Sequence, residues 1–131
     1  MIVTTETGKA NGTTQRERCL DEAKKIVRND RNEQYGEPED NFDVISEYWA
    51  AYLNGKYKIG LPLDAGDVAH MMTLFKMGRI TTAKEYKEDN YIDIAGYAAC
   101  AMECAANKAK KIRELNRQII GESVDILPEN V

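Results

Sequence analysis

Between Asp89 and Ile119 the chain has no proline and a single glycine, Gly96. A stretch of that length without a breaker reads as one continuous helix. Its first half, with Ile92, Ile94, Ala95, Tyr97, Ala98, Ala99 and Ala101, is apolar almost all round. A helix greasy on every side is buried on every side, and one small core rarely hides such a helix alone. The expectation is an all-α protein, a bundle of about four helices completed by oligomerisation as a homo-oligomer.

The other elements follow from periodicity and punctuation. Thr14 and Glu17 form a capping-box pattern ahead of Leu20, Ala23, Ile26 and Val27, which predicts a first helix over residues 14–28. Residues 29–38 are polar and contain Gly36 and Pro38, so they read as a loop. A second helix starts near Pro38 with Phe42, Ile45, Tyr48, Trp49, Tyr52 and Leu53 at three- and four-residue steps, and Gly55 is expected to end it. Asp64 is placed to cap a third helix running to about Thr82, whose apolar face is Val68, Met71, Met72 and Phe75. Residues 1–13 read as a flexible lead-in without the apolar core of a secretory signal, residues 14–120 as the helical domain, and residues 121–131 as an extended or disordered tail.

Composition narrows the function classes. The chain is 43% hydrophobic and 31% charged, as in ordinary globular proteins, and no apolar run approaches the roughly 20 residues that a transmembrane helix needs. With a net charge of −4 and no long basic block, capture of long nucleic acid is disfavoured. Cys19, Cys100 and Cys104 are odd in number and lack C-x-x-C spacing, which points to a reducing cytoplasm.

Several residues are candidates for chemistry. On the fourth helix Asp89, Asp93, Gly96, Cys100 and Cys104 share one stripe, with Tyr97 at its edge. Two carboxylates one turn apart repel, and a bound cation would reconcile them. The plainer alternative has Asp89 capping the helix and Asp93 pairing with a base. On the third helix Asp67 and His70 are one turn apart beside the apolar face, and Gly78 permits close approach. His70, the sole histidine, is either a hydrogen-bonded structural residue or an acid-base group. Arg79 points among Val68, Met72 and Phe75, where an unpaired charge is expensive, so it should meet an anion, either Asp93 or a ligand phosphate. Lys76 is a second such cation or a solvated lysine. The loop with Arg31 and Tyr35, continuing to Asn41 and Phe42, mixes charge, amide and aromatic groups suited to reading a base. Its alternative role is to staple the helices together.

The order Asp30-Arg31-x-x-x-Tyr35-Gly36-x-Pro38-Glu39-x-Asn41-Phe42, then Asp67-Val68-Ala69, Leu74-Phe75-Lys76 and Arg79, then Asp93-Ile94-Ala95-Gly96-Tyr97-Ala98 resembles an uncharacterised family common in phages and prophages. The match covers about residues 20–104. More remotely the chain resembles the MazG-like all-α nucleoside triphosphate pyrophosphohydrolases. Those hold magnesium with an E-E-x-x-E helix and a later E-x-x-D helix, and release pyrophosphate by water attack at the α-phosphate.

Laid on this chain, the two slots hold Gly66-Asp67-x-x-His70 and Asn90-x-x-Asp93, with Asp89 adjacent. The resemblance thus implies Mg2+ or Mn2+ on Asp67, Asp89 and Asp93. It implies Asp67, Asp93 or His70 positioning water, Arg31, Tyr35 and Asn41 at the nucleotide, and Lys76 and Arg79 on its phosphates. The expected activity is a metal-dependent hydrolysis of a (d)NTP to the (d)NMP and pyrophosphate. Because the acids are fewer than the pattern asks, an alternative is a nucleotide-binding protein without turnover, a sponge that sequesters a nucleotide defence signal.

Overall fold

The computed structural model describes residues 12–28, 34 and 36–122. Most of the segments expected to be extended, residues 1–11 and 123–131, lie outside the described residues. The described residues form four helices: α1, Gln15–Arg28; α2, Pro38–Tyr57; α3, Ala65–Thr82; and α4, Glu88–Glu122. No strand occurs among the described residues, so the fold is all-α.

Each helix starts for a local reason. At α1, the Glu17 amide donates to Thr14 Oγ1 at 3.1 Å and the Thr14 amide donates to Glu17 Oε2 at 2.7 Å, the reciprocal box that the sequence implies. Pro38 begins α2, with Glu39 and Asp40 in the first turn where the helix dipole favours acids. Asp64 and Asp67 form a second box at α3, the Asp67 amide donating to Asp64 Oδ1 and the Asp64 amide to Asp67 Oδ2, both at 3.0 Å. Gly55 does not end α2. The helix continues to Tyr57 and is turned by Lys58, a non-glycine residue with φ of 56°. Asn54 accounts for this by exchanging two hydrogen bonds with the backbone of Leu61, which folds the connector back onto the last turn.

Helices α3 and α4 run antiparallel, joined by the short turn at residues 83–87. Lys76 meets Asp93 near that turn at 2.8 Å, and Asp64 meets Lys108 at the other end at 2.9 Å. The core lies between them and the start of α2. Phe42, Ala65, Val68, Ala69, Cys100 and Cys104 are buried together, with Ile45, Trp49, Met72 and Tyr97 packed around them. α1 lies along α4, tied by the Arg18 to Glu88 ion pair and by Val27 against Gly96.

The inward faces are narrower than periodicity implies. Met71 and Phe75 of α3 are exposed, as are Tyr48 and Tyr52 of α2, leaving Phe42 and Val68 as the largest fully buried side chains. Nor is the first half of α4 covered all round. Gly96, Cys100 and Cys104 face inward, while Ala98, Ala99 and Met102 are exposed. No helix among the described residues is long and apolar enough to cross a membrane.

Candidate functional site

Where the first turns of α2 and α3 approach the middle of α4, an open cavity of about 560 Å³ is lined by Glu39, Asp43, Asp64, Asp67, His70, Lys108 and Lys111, with Cys104 in its wall. Four carboxylates meet two ammonium groups there. Lys111 Nζ lies 2.9 Å from Glu39 Oε1 and Lys108 Nζ 2.9 Å from Asp64 Oδ2. Asn107 Nδ2 donates to the second Glu39 oxygen at 2.6 Å. Three residues from one stretch of α4 thus hold the acids of two other helices.

These contacts set the ionisation of the site. Lys111 and Asn107 hold the Glu39 carboxyl below the usual carboxylate range. Lys108 and the Asp67 amide do the same for Asp64. The two lysines are pushed up in return by their carboxylate partners. Cys104 responds oppositely, its thiol pushed up to about 11 chiefly by burial and then by the Glu39 charge. Asp43, one turn along α2 from Glu39, makes no side-chain hydrogen bond or ion pair with any described residue. Asp64 and Asp67 are explained by their capping box alone, whereas helix capping gives no reason for Asp43 to face the cavity.

The expected metal set is not brought together. Asp93 pairs with Lys76, whose Cα lies nine residues and about 13 Å further along α3 than that of Asp67. Asp89 is exposed in the first turn of α4. Among the described residues no three His, Cys, Asp or Glu side chains stand close enough to hold one metal ion. Lys76, rather than Arg79, takes Asp93 as its partner. Arg79 is exposed instead, with its guanidinium 5.8 Å from the centre of the Phe75 ring. Asn41 is half-buried on α2 beside Phe42, and Arg31 and Tyr35 lie outside the described residues. Of the expected site residues that are described, Asp67 and His70 line the cavity and the others do not.

Glu39, Asp43, Asp64, Lys108 and Lys111 are the residues that sequence reasoning misses. Their signal is nevertheless present, as acids one turn apart at two successive helix starts, Glu39 with Asp43 and Asp64 with Asp67.

A family profile described as "Domain of unknown function (DUF6378)" matches residues 18–105. The chain is similar to the Gene 55 protein of Mycobacterium phage D29, 34% identical over 84 residues that make up 64% of this chain and 51% of the relative. It is also similar to the Gene 55 protein of Mycobacterium phage L5, 37% identical over 79 residues, 60% of this chain and 47% of the relative. The chain spans about half the length of these curated relatives. No solved structure matches it.

Proposed function

This chain belongs to the DUF6378 family, and from that premise we propose that it is a metal-dependent nucleotide pyrophosphohydrolase, converting a (d)NTP to the (d)NMP and pyrophosphate. The observation that carries the reading is the convergence of Glu39, Asp43, Asp64 and Asp67 on one cavity opposite Lys108 and Lys111. Along the chain these acids read Glu39-Asp40-x-x-Asp43 and Asp64-x-x-Asp67, twenty residues apart. That is the two-part acidic spacing of the MazG-like enzymes with aspartate in place of several glutamates.

The donor set matches the proposed cofactor in ligand type but not in placement, since among the described residues no three of these side chains stand close enough to hold one ion. Four carboxylates offer the hard oxygen ligands that Mg2+ or Mn2+ prefers. When bound, such an ion would polarise phosphate oxygens and lower the pKa of a water molecule. The chain's own contributions are separate. Lys108 and Lys111 neutralise phosphate charge from the α4 wall, and His70 on the α3 wall orients water. Asp93 and Lys76 pair with each other away from the cavity, and this reading assigns them no part in the chemistry. None of the three cysteines forms a disulfide among the described residues, which fits a cytoplasmic setting.

The test is release of pyrophosphate from each NTP and dNTP, with and without Mg2+ or Mn2+. D43N is expected to lower metal-dependent turnover at least ten-fold while D93N retains it. Absence of pyrophosphate from every nucleotide would sink the hydrolase. One observation favours a second reading, a nucleotide-binding protein without turnover, since Lys108 and Lys111 already occupy two of the four acids that line the cavity and, among the described residues, no three stand close enough to share one metal ion. Intact nucleotide recovered bound to the protein, with no pyrophosphate, would select it.

A further inference from the structure

Helix α4 does not stop where its contacts stop. Its last ion pair with the other described elements is Lys111 to Glu39, yet it stays helical to Glu122 and every residue from 112 to 121 is exposed. This arm carries Ile112, Leu115 and Ile119, exposed by 50%, 56% and 48%. Their spacing of three and four residues places them on one face. A ten-residue helix standing alone in water is marginal, and a row of exposed branched aliphatics is costly. Both facts ask for a cover.

Charge selects the cover. Residues 112–121 hold Arg113 and Arg117 against one glutamate, while the first ten residues of α2 hold Asp40 and Glu47 besides the cavity acids Glu39 and Asp43, and no base. On the outside of α2, Asp40 and Glu47 lie beside exposed Val44, Tyr48 and Tyr52. That face matches the arm in both respects, aliphatic against aromatic and base against acid. Tyrosine, with an apolar ring and a polar tip, is enriched in such contacts. We infer that the α4 arm of one chain docks on the outer face of α2 in a second copy of this chain, each arm doing so in turn about a two-fold axis. Reciprocal docking makes the same contact twice, using each patch once, and closes the assembly at two copies. It also doubles the buried area toward the roughly 800 Å² per partner of a stable dimer. The inference is independent of the proposed chemistry.

Light scattering on the full chain from about 1 to 100 µM, the range in which a micromolar dimer reveals itself, is expected to give twice the 14.8 kDa of one chain. An I112E/I119E variant is expected to show the single-chain mass with its helix content kept. D40K/E47K should weaken the dimer at least ten-fold, and adding R113E/R117E to it should restore the dimer. A single-chain mass for the unaltered protein at every concentration would overturn the inference, whether the true cover is a terminal segment of the same chain or an unrelated partner. So would a two-chain mass in I112E/I119E, or failure of the reversed charges to restore the dimer.

Discussion

Gly96 shows how one position reports on a contact. In α4 it faces α1, and a Cβ added there would lie 3.6 Å from Val27 Cγ1, an ordinary van der Waals contact. Nothing in the backbone demands glycine, since the residue sits inside a continuous helix. Glycine costs a helix interior about 1 kcal/mol relative to alanine. Gly96→Ala is therefore expected to raise stability by up to about 1 kcal/mol, seen as a rise of about 4 °C in Tm. A fall in Tm would mean that the added methyl group disturbs the packing of α1 on α4. Residue by residue, the sequence was a good guide to helix starts and a poor one to charge partners. The boxes at Thr14 and Asp64 are local and could be read directly. The choice of Lys76 over Arg79 as partner of Asp93 depends on how α4 lies against α3, which no local pattern states.

The elements are joined by ion pairs that α4 makes to the starts of α2 and α3. Glu39 and Asp64 have folded-state pKa values below the ordinary carboxylate range. Such groups contribute stability above their unfolded pKa, and that contribution is lost as pH falls toward the folded value. The urea midpoint is thus expected to drop on acidification below about pH 5. E39Q/D64N should flatten that drop, while the lysines stay charged throughout. An unchanged pH profile in the double variant would show that these pairs are only surface decoration. At this scale the four helices were legible because their apolar periods and caps are local. The acidic cavity was not, because it needs two helix starts that are distant in sequence to meet over the middle of a third. The end of α2 also escaped prediction, since Gly55 offered the usual stop and the side chain of Asn54 supplied another one later.

At the scale of the whole molecule, few large side chains among the described residues are fully enclosed. Phe42 is 2% exposed and Val68 0%, and they sit at the junction of α2, α3 and α4. Truncating a buried phenylalanine to alanine costs about 3–5 kcal/mol, a large part of the 5–15 kcal/mol typical of a domain. Phe42→Ala is expected to lose most cooperative unfolding at 37 °C, followed by circular dichroism against temperature. Retention of a sharp transition near the original Tm would relocate the centre of the fold. The all-α class itself followed from the unbroken run in α4, since a helix that long can only be joined by other helices or sheets, and the chain offers no strand-like alternation.

Cys100 and Cys104 are buried at that same junction, whereas Cys19 on α1 is partly open. With its thiol pushed up to about 11, Cys104 presents almost no thiolate at neutral pH even when reagent is nearby, and reaction requires α4 to lift away from α2 and α3. The chain thus carries a fast site and a slow site on one backbone. Cys19 should be alkylated promptly and Cys104 only at the rate of opening, so the ratio of the two, read by mass spectrometry, is a clock for how often the bundle breathes.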